Sequence, residues 1–243
     1  MNTVRCFDWS TLDRELLAEM LLISTTDFVS KSYTPTALTQ RVRHQFNFFQ
    51  VPIKFATTKS PETKLKEVWV GGLYDSELDQ EGKPAITIRL QYNTSAKKIT
   101  LTKKSIRRIA LGIADTLLHE VIHTRQYRRR NYKDIVGYTS TAEFSKQIKE
   151  QTYLGHSDEI DAYAFNIACA LSDKFAQDHE KIVEYLSADL KDKRLKKNGY
   201  IMYLETFDHD HRHRVIKKLK KKIMYYLPYT TLGKPYKTSD WLK

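Results

Sequence analysis

The stretch Leu117-Leu118-His119-Glu120-Val121-Ile122-His123-Thr124-Arg125-Gln126 decides how the rest of this chain is read. It holds the pattern His-Glu-x-x-His inside a run with helical periodicity. Residues four apart share one face of a helix, so His119 and His123 point the same way, about one turn apart. Glu120 lies roughly 100° round from His119, nearer to His123. Two imidazoles on one face can hold a zinc ion, and a carboxylate beside them can activate a water. A five-residue pattern with two free positions also arises by chance, so its setting carries the weight.

Working outward, Ile106, Ile109, Ala110, Ile113, Leu117, Val121 and Ile122 form an apolar stripe. The stripe predicts one long helix over about 103–129 with that side on a core. Gly112 and Thr116 fall on the side of the two histidines, where small residues would leave space next to a metal. Arg128-Arg129-Arg130-Asn131 ends the helix. Cations are favoured there by the helix dipole, so the arginine run needs no nucleic acid to explain it.

Upstream, residues 51–56 and 67–74 read as strands, and 85–92 alternates apolar and polar side chains as a half-buried strand does. Residues 99–102 are a short fourth strand or the lead into the helix. The polar stretch 57–66 is expected to be a loop and 75–83 an exposed turn. An edge strand beside the histidine-bearing helix can take up an extended peptide through backbone hydrogen bonds. Before the strands, helices are expected from about residue 10 to 29 and over 35–48, the second presenting Leu38, Val42, Phe46 and Phe49; both are expected to pack on the sheet. Downstream, helices are expected over 141–151 and over 159–175, the latter burying Ile160, Ala164, Ile167, Ala168 and Leu171. A turn at 155–158, capped by Ser157 or Asp158, separates them. Segments 179–190 and 200–207 follow, then a basic helix over 209–226 containing Val215, Ile216, Leu219 and Ile223, and an irregular tail.

A chain of 243 residues with 41% hydrophobic and 12% aromatic side chains can bury a sizeable core, which excludes a disordered chain. The net charge of +12 favours acidic partners, nucleic acid first among them, although a lysine-rich surface also serves solubility alone. Cys6 and Cys169 make no disulfide framework, so both are expected to be thiols in a reducing compartment. No apolar run reaches the ~20 residues that span a bilayer, and no secretory leader is evident. The initial Met suggests a complete reading frame. The expected location is therefore cytoplasmic, with no membrane partner.

A zinc peptidase needs a third protein ligand and an open position for water. Glu159, in Glu159-Ile160-Asp161-Ala162-Tyr163-Ala164-Phe165, is the candidate, with Asp158, Asp161 and His156 as rivals. His119-Glu120-Val121-Ile122-His123 followed by Glu159-x-x-Ala162-x-x-Phe165 resembles the gluzincin branch of the zincin metallopeptidases. The motif pair is similar to that of the ImmA/IrrE-like proteins and of small metallopeptidases predicted in phages. The resemblance to SprT-like proteases is more distant, because their pattern expects a third histidine soon after the motif and none lies between His123 and His156. The resemblance covers roughly residues 50–175. It implies an α+β, zincin-like fold in which a small mixed or antiparallel sheet packs on the His-Glu-x-x-His helix.

It further implies one Zn2+ per chain, a protein or peptide substrate, and peptide-bond hydrolysis. His119, His123 and Glu159 would be the metal ligands, and Glu120 the general base. Small Ala162 would let two helices approach, and Asp161 could orient a ligand imidazole. His156, Tyr153 and Tyr163 are candidate transition-state donors, although tyrosines near such a site are more often packing. A phage source would move the location to the host cytoplasm or the virion. The division expected is N-terminal helices over 1–49, the metallopeptidase core over 50–175, and a basic helical extension over 176–243. In that extension His209 and His213 would share a face if the helix has begun there, and a solvated helix start is the bland reading. Lys217, Lys218, Lys220, Lys221 and Lys222 could grip phosphates, or form a solvated face. That helix motivates the alternative of a zincin-fold structural or nucleic-acid-associated protein with little protease activity.

Overall fold

Ile86, Ile88, Leu90 and Tyr92 are at most 1% exposed. The alternation of residues 85–92 is thus realised as a strand with one face sealed. The structure is a computed structural model and describes residues 26–48, 52–133, 145–188 and 199–229. The chain divides into two units, residues 1–132 with 236–243, and residues 133–235. Its class is mixed α+β.

The first unit contains β1 (Ser32–Tyr33), α1 (Pro35–Phe48), β2 (Ile53–Ser60), β3 (Trp69–Tyr74), α2 (Ser76–Gln80), β4 (Ile86–Asn93), β5 (Ile99–Thr100) and α3 (Lys103–Arg129). The main sheet has three strands in the order β2-β4-β3, with β2 parallel and β3 antiparallel to β4. Register puts Val70 opposite Leu90, Gly72 opposite Ile88 and Tyr74 opposite Ile86. Opposed residues share a face. That face is covered by α1, where Phe46 meets Phe55 with ring centroids 4.9 Å apart, and by α3. The other face carries exposed Trp69, Leu73 and Arg89.

Leu38, Val42 and Phe46, one turn apart on α1, are buried as expected; Phe49 lies outside the described residues. Helix α3 has the expected limits. A capping box starts it, with the Ser105 N–H donating to Thr102 Oγ1 at 3.1 Å and the Thr102 N–H to Ser105 Oγ at 2.8 Å. Asn131, at φ 53°, turns the chain out of it in the left-handed region that asparagine tolerates. Leu117, Leu118 and Val121 are at most 1% exposed, and each such side chain contributes roughly 1.5–3 kcal/mol.

The structure corrects several expected boundaries. Strand β2 starts at Ile53 and runs on to Ser60, through residues expected to be loop. Thr57 and Thr58 are β-branched, and the parallel ladder continues to Ser60 opposite Asn93. The turn at 75–83 contains α2, because the Asp75 side chain accepts from the N–H groups of Glu77 and Leu78. Residues 99–100 form a strand, paired with β1. Of the helix expected from residue 10 to 29, residues 26–28 form a single tight turn, and 10–25 lie outside the described residues.

The second unit contains α4 (Lys146–Gly155), α5 (Ser157–Lys174), α6 (His179–Ser187), α7 (Gly199–Thr206) and α8 (Arg214–Tyr226). Residues 141–144 and 230–243, where a helix start and the tail were expected, lie outside the described residues. The cap of α5 is His156, not Ser157 or Asp158: its Nδ1 accepts from the Asp158 N–H at 3.4 Å. Ile160, Ala164, Ile167, Ala168 and Leu171 are buried on α5 as their spacing predicts. Helix α8 buries Val215, Ile216, Leu219, Ile223 and Tyr226, a stripe at helical spacing, largely against α5. It begins at Arg214, with His213 as its cap, rather than at 209. His209 and His213 therefore do not lie on one helical face.

Candidate metal centre

The long helix α3 presents its histidine pair because the apolar stripe fixes which side faces inward. His119 and His123 are 7% and 9% exposed, unusual burial for imidazoles, and their Nε2 atoms lie 3.1 Å apart. Two imidazole nitrogens bound to one tetrahedral zinc sit roughly 3.3 Å apart. The pair is thus already close to chelating geometry. The rings are held near-perpendicular, at 76°. His123 Nδ1–H donates to Gln126 Oε1 at 2.9 Å, which turns the lone pair of Nε2 toward His119. An outer hydrogen bond of this kind fixes the tautomer and raises the basicity of a ligand histidine.

Glu120, also buried, lies against the sheet. A methyl group placed on Gly72 would collide with the Glu120 carboxylate and come within 2.7 Å of Thr116 Cγ2. Only the absence of a side chain at that point of β3 gives the carboxylate its position. Gly72 was not among the candidate residues. A Gly-Gly pair inside a strand pattern marks close approach of another group, and that was the available signal. Gly112 behaves differently from expectation. The space beside it is taken by Val70, whose Cγ2 would be 3.1 Å from an added Cβ. Its smallness serves helix–strand packing. Thr124 Oγ1 donates to the Glu120 carbonyl at 3.1 Å, an ordinary bond within the helix.

The far end of α3 is fixed by Asp79 of α2. Its carboxylate accepts from Arg128 Nε at 2.8 Å and from the hydroxyls of Tyr74 and Tyr132 at 3.0 Å each. Burial alone would raise the Asp79 carboxyl. The bonds from Arg128, Tyr132 and Tyr74 outweigh it and hold the group below its ordinary value. Arg130 lies over the Tyr127 ring. These contacts account for two of the three arginines without any external anion.

On α5, Asp158 and Glu159 are buried and Ala162 is fully so. Burial first, then Tyr163 and the charge of Glu159, with hydrogen bonds to both, push the Tyr153 hydroxyl well above the tyrosine range. Burial, Tyr163 and Glu159 do the same to Tyr203. Tyr163 and Tyr203 meet edge to face at 5.7 Å. Glu159 is therefore set among tyrosines that stay protonated. Asp161 Oδ1 accepts from the Tyr226 hydroxyl at 3.0 Å and pairs with Lys222 at 2.7 Å. His156 serves as the cap of α5.

Among the described residues, the buried group His119, His123 and Glu159 could hold a metal ion. Two imidazoles and one carboxylate suit zinc, which takes nitrogen and oxygen donors and leaves a fourth position open in catalytic sites. Of the five lysines considered for phosphate contact, Lys222 is paired with Asp161, and Lys220 is half-buried with Nζ 2.9 Å from His211 Nδ1. Lys217, Lys218 and Lys221 are exposed. No helix among the described residues is long and apolar enough to cross a membrane. In comparisons with known proteins, no family model, no curated protein and no solved structure matches this chain.

Proposed function

We propose that this chain is a zinc-dependent metallopeptidase with a zincin-like core, in which His119, His123 and Glu159 hold one zinc ion. The observation that supports this most is the buried histidine pair with facing Nε2 atoms, which with Glu159 makes a group able to hold an ion. Zinc held there would polarise a scissile carbonyl and bring the pKa of water from ~16 to about 7.

The chain's own residues divide the remaining work. Gln126 keeps the His123 ring in its ligating tautomer. Tyr153, held protonated, donates to the Glu159 carboxylate and orients it. Glu120 takes the proton of the attacking water on a carboxylate oxygen and hands it to the leaving amine. Gly72 keeps that carboxylate where it can do so. Strand β3 is an edge of its sheet, so an extended substrate added to it would pass beside Gly72 and Glu120.

The test is zinc content together with proteolysis of an unstructured protein such as casein. The expected result is near one zinc per chain, with Glu120→Gln keeping the metal and losing about 10²–10⁴-fold in rate. Protein purified without chelators that holds no zinc, or full activity in Glu120→Gln, would overturn the reading. Stoichiometric zinc with no proteolysis would favour the structural or nucleic-acid-associated alternative on the same fold.

A further inference from the structure

Between Lys83 and Arg108 the sequence has eight cations and no acid, and the next acid is Asp115. Four of those cations, Lys103, Lys104, Arg107 and Arg108, occupy the first two turns of α3, and its first turn has no acidic residue. All four are exposed. This placement works against the helix dipole, whose positive end lies there. A local choice that opposes the stability of its own element points to a function.

The cations border a groove of about 690 Å³, lined by Lys66, Lys104, Arg107 and Arg108 and by two acids, Glu67 and, at the far end along α3, Asp115. Glu67 is already engaged, with Arg108 at 3.2 Å and with the Trp69 indole N–H at 3.4 Å. Lys66, Lys104 and Arg107 make no ion pair among the described residues. Trp69 lies outside the groove lining, on the sheet face away from α3, and is joined to the groove through its indole bond to Glu67, with 48% of its surface open to solvent. The Thr102–Ser105 capping box already occupies the Ser105 N–H at the helix start, and the proposal rests on the side-chain groove rather than on the helix terminus.

We propose that this groove binds single-stranded nucleic acid, with the cations on phosphates and Trp69 stacking on a base. A predominantly cationic groove with an exposed aromatic side chain next to it is the kind of arrangement that takes up single strands without sequence preference. The surface lies on the first unit, away in sequence from the lysine run of α8. That run is the weaker candidate, because two of its five lysines are internally engaged. The proposal does not depend on the metal centre.

The test is fluorescence anisotropy of the full chain with a labelled thymidine 20-mer and a duplex of equal length, over a range of salt. Three to four phosphate contacts predict a slope of log K against log salt of about −2 to −3 for the single strand. Lys104→Glu with Arg107→Glu should weaken binding at least about tenfold and flatten the slope by about 1.4. The melting temperature of that variant should stay equal or rise, because acids suit a helix start. Trp69→Ala should weaken single-strand binding about 5- to 100-fold with the slope unchanged. Lys217→Glu with Lys218→Glu should change neither. Absent or salt-indifferent binding, tighter binding to the duplex, loss through the α8 pair alone, or binding only to anionic vesicles would each overturn the proposal.

Discussion

Replacing Gly72 by alanine adds one methyl group at the point where β3 touches Glu120. Its Cβ would fall on the carboxylate, 2.8 Å from Cδ and 2.7 Å from Thr116 Cγ2. No ordinary side chain tolerates such contacts, so something must shift. The Glu120 carboxylate is the end of a flexible side chain and yields first. Overpacking of this kind costs about 1–3 kcal/mol, and a yielding side chain puts the loss near the lower figure. Catalysis is less forgiving, since displacing a reacting group by about 1 Å costs on the order of 10²-fold. Gly72→Ala is therefore expected to melt a few degrees lower, keep its zinc, and lose about 100-fold in kcat/KM on an unstructured substrate. Gly71→Ala is the matched control. Nothing lies within 4 Å of its added Cβ, so activity should be unchanged and stability unchanged or slightly higher. Full activity in Gly72→Ala, or equal losses in the two variants, would refute the reasoning.

Gln126→Ala removes the acceptor that orients His123, and zinc affinity measured by chelator competition should fall about 10- to 100-fold. Asp79→Asn should destabilise the first unit by about 1–3 kcal/mol, since the side chain is 7% exposed while its Arg128 partner is partly open to solvent. The Asp79 carboxyl is held below its ordinary value of 3.8, so its contribution is complete above that pH and is lost as pH falls through the lower, folded value. The gap in melting temperature between the native chain and Asp79→Asn should accordingly be constant at pH 5–7 and close only below about pH 4. On α8, Lys222→Ala breaks the pair with Asp161 and should lower stability measurably, while Lys217→Ala, exposed on the same helix, should stay within about 0.5 kcal/mol.

Much of this architecture could be read from residue patterns. The stripe from Ile106 to Ile122 located α3 because its period is helical over many turns and its end carries a cationic stop. The alternation around Ile86–Tyr92 located the central strand for the same reason. Patterns failed where a distant partner decides the outcome. Thr57–Ser60 looks like loop until the ladder with β4 extends it. Asp79 looks like one more acid in a polar turn until Arg128, Tyr74 and Tyr132 close on it. The start of α8 was misplaced because His209–His213 carries polar residues at positions a helix could also use, and the cap at His213 is set by local backbone geometry. At the candidate centre, His119, Glu120 and His123 follow from spacing alone. The role of Gly72 is an absence of atoms, which has no periodicity to detect.

The most direct measurement is the zinc content of the native chain and of His119→Ala and Glu159→Ala, each purified without chelator and confirmed folded. The account predicts near one zinc per native chain and little or none in either variant. A native chain without zinc, or a Glu159→Ala variant that binds zinc as tightly as the native protein, would contradict it.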